Sequence, residues 1–434
     1  MKPQGLPCDE EDMDMKMLPG GVTAPKGFQA SGVHCGVKKG KGDGNQPPMS
    51  KMPEVLEGKK DLALILSERE CTAAAVYTLN RVKAAPLYVT MDHLENGEAQ
   101  GIVANSGNAN ACAPNSHEHA ERMCELAAAA TGLKASDFVV ASTGVIGQEL
   151  NIAAIEQGLP QAAAQLSKDG SDAAANAIMT TDTMKKELAV SCMVGGKTVT
   201  IGAIAKGSGM IHPNMGTMLC FVTTDCAVTQ EMLSDALHEI VPRTFNRVTI
   251  DGDTSTNDMC VVLANGMAEN PLIEWKDDNY TVFYKTLYSV FEQLARSIAA
   301  DGEGASKLIT CTVRNARSEE SAERLSKSVV GSSLVKAAMF GSDANWGRVL
   351  CAMGYSGEDF NPDKVDVAFQ SQAGSVQVCA KGRGLDFDED LAKRVLTEHD
   401  VTIAITMGEG DSSCTCWGCD LTYEYVKING DYRT

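Results

Sequence analysis

At 434 residues, with 44% of them hydrophobic, the chain is long enough to bury more than one core. Its formal net charge of −19 excludes the broad basic face that nucleic acid or an anionic membrane demands, and no run approaches the roughly 18 apolar residues of a membrane-spanning helix. Fifteen cysteines, an odd number with no secretory leader before them, fit reduced thiols in a cytoplasm rather than a disulfide scaffold.

Residues 1–17 form an acidic, methionine-rich lead-in without periodicity, expected to be poorly ordered, with order beginning between 18 and 28. From 38 to 60 the composition shifts to Lys, Gly, Asp and Pro, the mark of a surface insertion whose lysines are solvated. Residues 61–67, 73–77 and 85–90 read as short strands of a mixed sheet. Residues 100–110 begin as a strand and dissolve into small polar residues. A helix is expected from Ser116, as its cap, to Thr131, with Gly132 as its stop.

Residues 138–147 form a strand running into a tight turn at Thr143-Gly144. Such a turn either simply redirects the chain or presents backbone N–H groups to a developing anion. Two alanine-rich helices, 152–168 and 172–179, end in Thr180-Thr181-Asp182-Thr183, where the hydroxyls suit helix-end capping and ligand contact equally. Gly196-Lys197-Thr198 is like a phosphate loop but has Ser191 where the earlier glycine is required. A hairpin at Gly195-Gly196, feeding a strand over 198–205, is the better expectation.

That strand and a second one over 218–224 are joined by a glycine-rich loop, Lys206-Gly207-Ser208-Gly209-Met210-Ile211-His212-Pro213-Asn214-Met215-Gly216-Thr217. Two buried strands need no such elaboration for packing alone. A threonine hydroxyl is a weak nucleophile near neutral pH, and its own α-amine can serve as base once the residue has become a chain N-terminus. Its hydroxyl is placed to attack the preceding carbonyl, and Gly216 permits the backbone conformations that attack requires. A glycine turn ahead of a buried strand-start threonine is the bland alternative.

Beyond it come a helix over 229–240 and the segment Asp251-Gly252-Asp253-Thr254-Ser255-Thr256-Asn257-Asp258. Its carboxylates have something of a calcium-loop spacing but lack the glycine and the closing glutamate. Turn-forming groups that hold the loops of a nearby site are the preferred reading. A long amphipathic helix over 280–300 exits into Asp301-Gly302-Glu303-Gly304, where a glutamate between two glycines is either a solvated turn or a ligand group. Cys414, Cys416 and Cys419 lack a fourth ligand for zinc, so no metal is expected.

The stretch 206–219 resembles the self-cleavage site of the bifunctional ornithine acetyltransferases, or glutamate N-acetyltransferases, of arginine biosynthesis. The resemblance runs from Gly20-Gly21-Val22-Thr23-Ala24-Pro25-Lys26-Gly27-Phe28 to Ile428-Asn429-Gly430-Asp431-Tyr432-Arg433-Thr434, with Gly216 where the family has alanine. It implies an α/β fold of layered mixed sheets between helices with a smaller C-terminal α/β domain, self-cleaved into two interlocked fragments, 18–216 and 217–434. Thr217 would be the nucleophile, Thr143 and Gly144 the oxyanion hole, and Thr181, Lys206, Thr217, Glu303, Asn429 and Thr434 the substrate contacts. Residues 417–423 would be strand, and the aromatic and β-branched residues of 423–428 would anchor the tail.

The implied reaction carries an acetyl group from N2-acetyl-L-ornithine to L-glutamate by a ping-pong route without cofactor, with acetyl-CoA a further donor open to assay. Two fragment pairs would associate into a heterotetramer. Two other classes compete: a related self-processing amidohydrolase or aminopeptidase, told apart by acetate release, and a non-catalytic binding protein, told apart by an uncut intact mass.

Overall fold

The computed structural model describes residues 15–39, 58–212 and 218–431. The first strands are β1 (Lys16–Leu18), β2 (Phe28–Val33), β3 (Leu62–Tyr77), β4 (Glu98–Asn108), β5 (Phe138–Val145), β6 (Lys186–Val194), β7 (Lys197–Lys206) and β8 (Leu219–Thr224). After these come β9 (Val248–Thr249), β10 (Met259–Ala264), β11 (Leu308–Ala316), β12 (Asp366–Ser371), β13 (Gly374–Ala380), β14 (Arg383–Gly384), β15 (Asp400–Thr406) and β16 (Ser412–Cys419). The helices are α1 (Ala85–His93), α2 (Ser116–Thr131), α3 (Ile152–Ala164), α4 (Ser171–Ile178), α5 (Gln230–Ile240) and α6 (Asp278–Ala300). The last five are α7 (Glu319–Gly331), α8 (Ser333–Phe340), α9 (Trp346–Gly354), α10 (Glu389–Thr397) and α11 (Tyr423–Asp431).

Among the described residues, nine strands form one sheet in the order β1-β6-β7-β8-β10-β3-β4-β5, with β2 added beside β3. The sheet folds over through β3, whose pairing with β4 shifts register between Leu66 and Cys71. Residues of β2–β5, such as Ile65 and Val139, therefore share one core with Ile204, Phe221 and Val261 of β7, β8 and β10. Outside this double layer, α5 and α6 cover β6, β7 and β8 on one side, and α2 and α3 cover β3, β4 and β5 on the other. Seven strands make the second sheet, β14-β13-β12-β15-β11-β16-β9, which packs against α7, α8, α9 and α10 around its own core. The expected layering and the smaller C-terminal unit are both present.

Several local expectations are corrected. Residues 85–90 are helix, not strand: Pro86 lies in the first turn, where a missing N–H costs nothing, and Pro86, Leu87, Val89 and Thr90 bury one helical face. Residues 61–67 and 73–77 are parts of a single strand, because exposed Glu68, Arg69 and Glu70 form a bulge rather than a break. Ser116 does not cap α2; its hydroxyl donates to Ala113 and Asn115 takes the cap position with φ 56°. Gly132 ends that helix in the left-handed region as expected, at φ 81°.

In the lead-in, Lys16 and Met17 already pair with β6, and residues 1–14 lie outside the described residues, as does 40–57 of the insertion. Lys38 is not solvated: its ammonium is buried and donates to the carbonyls of Lys60 at 2.8 Å and Met179 at 3.2 Å. Strand β16 stops at Cys419, and Tyr423 opens a helix instead. Tyr423 and Val426 are exposed, but Tyr423 meets the Phe340 ring edge-on at 5.6 Å, and Tyr425 and Ile428 are half-buried. Asp420 ahead of them adds to the anchoring, accepting from the backbone N–H groups of Ser306 at 2.8 Å and Lys307 at 3.0 Å.

Candidate active site

Lys206, the last residue of β7, pairs with Leu219 at the start of β8. The chain between them joins two residues that face each other on one ladder. Gly216 and Thr217 in that connection, and Thr434 at the far end, lie outside the described residues.

The described part of the loop is pinned on every side. Gly207 N–H donates to Asp182 Oδ1 at 2.8 Å, and Ser208 Oγ donates to the carbonyl of Asp301 at 2.7 Å. Asp251 accepts from the N–H groups of Met210 at 2.6 Å and Ile211 at 2.9 Å, while Thr254 Oγ1 donates to the carbonyl of His212 at 2.7 Å. Met210 is held at φ 57°, a conformation costing a non-glycine residue roughly 1 kcal/mol or more. Asp251 and Thr254 thus hold the loop, as their spacing suggested.

Thr143 and Gly144 reach this loop from the end of β5, which runs parallel to β4 with Thr143 opposite Ser106. Gly144 has φ 133°, and a Cβ there would stand 2.4 Å from the carbonyl carbon of Gly107, so only glycine allows the two strand ends to meet. Asn257 fixes the same junction, its Nδ2 donating to the carbonyls of Ala109 at 2.6 Å and Ser142 at 2.8 Å. Lys206 Nζ donates to Thr143 Oγ1 at 3.4 Å. Thr143, Lys206, Met210, Met218, Asn257 and Asp258 line one small cleft.

Glu303 enters from the turn after α6, with its N–H donated to Ser208 at 2.9 Å. A Cβ at Gly209 would stand 2.3 Å from the Glu303 carboxyl, so the loop passes directly over that carboxylate and any side chain there would push it aside. Asn429 of α11 donates to Glu303 Oε2 at 2.7 Å. Thr181 is half-buried in the loop before β6, next to Asp182. Thr143, Thr181, Lys206, Glu303 and Asn429 are therefore collected around residues 206–211 from five separate parts of the chain.

What fixes these pieces to one another leaves no local trace in the sequence. Lys186 Nζ, fully buried, lies 2.8 Å from Asp182 and 2.6 Å from Asp301. Asp301 also accepts from the N–H and hydroxyl of Thr183 and from the N–H of Met184. Burial alone would raise the Asp182 carboxyl, but the charges of Lys186 and Lys206 and the bonds from Lys186 and Gly207 hold it well below the usual carboxylate range. Lys38, buried nearby, is pushed down to about 8, mainly by desolvation. Asp258 goes the other way: complete burial raises its carboxyl well above the ordinary range, against the pull of Lys206.

Among the described residues no cluster of three or more His, Cys, Asp or Glu is arranged to hold a metal ion, and no helix is long and apolar enough to cross a membrane.

Comparison with known proteins bears on the same chain. The profile of the ArgJ family matches residues 50–434. An "Arginine biosynthesis bifunctional protein ArgJ" of Symbiobacterium thermophilum is 51% identical over 421 residues, covering 97% of this chain and 100% of the relative. The protein of the same name from Caldanaerobacter subterraneus subsp. tengcongensis is 49% identical over 421 residues, again covering 97% and 100%. A solved structure of an ornithine acetyltransferase complexed with ornithine, from Mycobacterium tuberculosis, is 35% identical, covers 46% of this chain and 99% of its own, and superposes with a TM-score of 0.39.

Proposed function

This chain belongs to the ArgJ family, and from that membership we propose that it carries the acetyl group of N2-acetyl-L-ornithine to L-glutamate in arginine biosynthesis. It is an acyltransferase, and its substrates are small molecules. The observation that carries the reading is the convergence of Thr143, Lys206, Glu303 and Asn429 on the loop that leads to Thr217.

Cleavage between Gly216 and Thr217 gives Thr217 a free α-amine, whose reference pKa of about 7.7–8.0 leaves a working fraction neutral at physiological pH. The amine takes the hydroxyl proton as Thr217 attacks the acetyl carbonyl. The N–H groups at Thr143 and Gly144 receive the oxyanion, the C–N bond breaks with that proton passing to the ornithine nitrogen, and the acetyl-threonine remains. Glutamate then enters the same pocket and its amine removes the acetyl group. Lys206 holds the α-carboxylate common to both substrates, and Glu303 holds the side-chain ammonium of ornithine. Thr181, Asn429 and Thr434 complete the pocket. No cofactor is required, and acetyl-CoA is a second donor to be assayed.

The sheet supports survival of the cut. Strands β7 and β8 pair directly, and β8 is joined through β10 to β3, so the fragments on either side of the cut, 1–216 and 217–434, share one hydrogen-bonded layer. Two such pairs associate into a heterotetramer. The test is Thr217→Ala: an uncut chain that forms no N-acetylglutamate is expected by intact mass and by assay. Cleavage and transfer at wild-type rates would show that the nucleophile lies elsewhere.

A further inference from the structure

The acyl-transfer scheme just proposed leaves one proton without a keeper. In the first half-reaction the proton of the Thr217 hydroxyl passes through the α-amine to the departing nitrogen, and ornithine leaves as a neutral amine that needs one more proton. In the second half-reaction glutamate arrives as an ammonium, which has no lone pair to attack with until it gives a proton up. One proton is required and later released at the same place.

Asp258 lines the cleft beside Thr143 and Lys206 and is 3% exposed. Ser255 lies close enough to favour its ionised form slightly, yet among the described residues Oδ2 has no hydrogen-bond partner. Buried polar atoms nearly always have one, so an exception in the wall of a reaction cleft calls for a transient ligand. Its backbone is clamped on both sides: its carbonyl accepts from Thr78 N–H at 3.0 Å, and the next N–H, of Met259, donates to Met218 at 2.8 Å. That second bond places it against the residue that directly follows Thr217. The charged group facing it is Lys206, from β7. Its other neighbours in the cleft, Ser255 and Asn257 from its own segment and Met218 from β8, carry no charge.

We propose that Asp258 is the proton store of the acyl-transfer cycle, giving the Oδ2 proton to the departing ornithine nitrogen and taking one back from the glutamate ammonium. In the first step the Asp258 O–H bond breaks and an N–H bond forms on ornithine; in the second an N–H bond of glutamate breaks and the O–H bond is restored. No proton is exchanged with solvent over the pair of steps, and no oxidant or co-reactant is needed. Burial raises the carboxyl well above its ordinary range and so favours the protonated form, and Lys206 steadies the carboxylate during the lifetime of the acetyl-enzyme. Asp182, the other buried carboxyl on which Lys206 acts, is unsuited to the role because its oxygens are already occupied by Lys186, Gly207 and the Thr180 N–H.

The test uses the full-length protein and Asp258→Asn, which keeps the shape and removes the exchangeable acid. Each enzyme is loaded by long incubation with N-acetylornithine, and the acetylated C-terminal fragment is followed by intact mass as it is discharged by glutamate or by hydroxylamine. Hydroxylamine is neutral at pH 7 and has no proton to surrender first. Discharge of D258N by glutamate is expected to fall about 100-fold or more, while discharge by hydroxylamine stays within about threefold of wild type. Equal losses with both acceptors, or a loss with neither, overturn the proposal. Wild-type enzyme that forms no acetyl-threonine sinks the acyl-transfer reading instead, so the two failures are distinct. Should D258N remain uncut, proton uptake by the wild type decides: mixing with N-acetylornithine in a weakly buffered indicator should draw no proton from solvent, and uptake of one proton per acetyl group loaded overturns the proposal.

Discussion

The charge of Lys206 acts on two buried carboxyls that the fold treats in opposite ways. Asp182 is saturated, with the Lys186 ammonium and the N–H groups of Gly207 and Thr180 on its oxygens. Asp258, by contrast, leaves Oδ2 without a partner among the described residues. Both groups are cut off from water, so the difference is one of partners and not of exposure. A carboxylate with both oxygens engaged is part of the scaffold, and one with an oxygen left short is available for chemistry. The saturated region fixes the loops around 182, 207 and 301 against one another, and only on such a frame can a single orphan oxygen be aimed.

The largest expected effect lies on the saturated side. Lys186→Met would leave Asp182 and Asp301 buried without their shared cation, and removing one partner of a buried ion pair costs about 3–5 kcal/mol. Urea denaturation should report a loss of that size, accompanied by slower cleavage at position 216 because the Gly207 and Ser208 anchors loosen. A loss below about 1 kcal/mol would break the comparison, since the supposed scaffold would then be bearing little.

This division was only partly readable in the sequence. Thr143, Lys206 and Glu303 each sit where a regular element gives way to glycine, a local trace that fits a turn as well as a ligand group, and only the family resemblance gave them roles. The hairpin at Gly195 and Gly196 was visible by the same kind of trace, both glycines having positive φ. Lys186 left no such trace: one of its partners, Asp301, is 115 residues away, and no periodicity encodes a contact of that range. Lys38 was hidden by its neighbours, since a lysine at the edge of a lysine-rich insertion has the composition of a solvated one. Residues 85–90 failed differently, because Val, Tyr and Thr favour strands while Pro86 and burial on the sheet side favour helix, and packing prevailed.

Glu303 lies between the two extremes, with Asn429 as a side-chain partner at 2.7 Å. Asn429→Ala should leave the chain cleaved and folded but free the carboxylate to swing. Since a hydrogen bond of this kind contributes about 1 kcal/mol net, KM for N-acetylornithine should rise about fivefold, with kcat within about twofold and KM for glutamate little changed. Steady-state kinetics with each substrate varied in turn measure this. An equal rise for both substrates would place Glu303 at the part they share and would reassign the ornithine ammonium.

The smallest effect sharpens the contrast most. The Asp182 carboxyl is depressed in the folded state, so the stability it contributes is fully present above the unfolded carboxyl pKa of about 3.9 and is lost as pH falls through its folded value. The Asp258 carboxyl is raised, so the folded protein binds a proton that the unfolded chain has released. Its contribution is therefore full below about pH 3.9 and is lost as pH rises toward its folded pKa. The two windows lie on opposite sides of one pH, and above pH 4.5 Asp258 is the one still titrating. Compared by urea unfolding from pH 4.5 to 8, D258N should gain on wild type as pH rises, by up to about 1.4 kcal/mol per pH unit, because the asparagine has no proton to release. The gain should stop where the folded carboxyl ionises, and that break marks the pH at which the resting enzyme ceases to hold its stored proton. A stability difference that stays flat across the whole range would mean that Asp258 is already ionised in the resting protein, and a store that begins empty has nothing to give the departing amine.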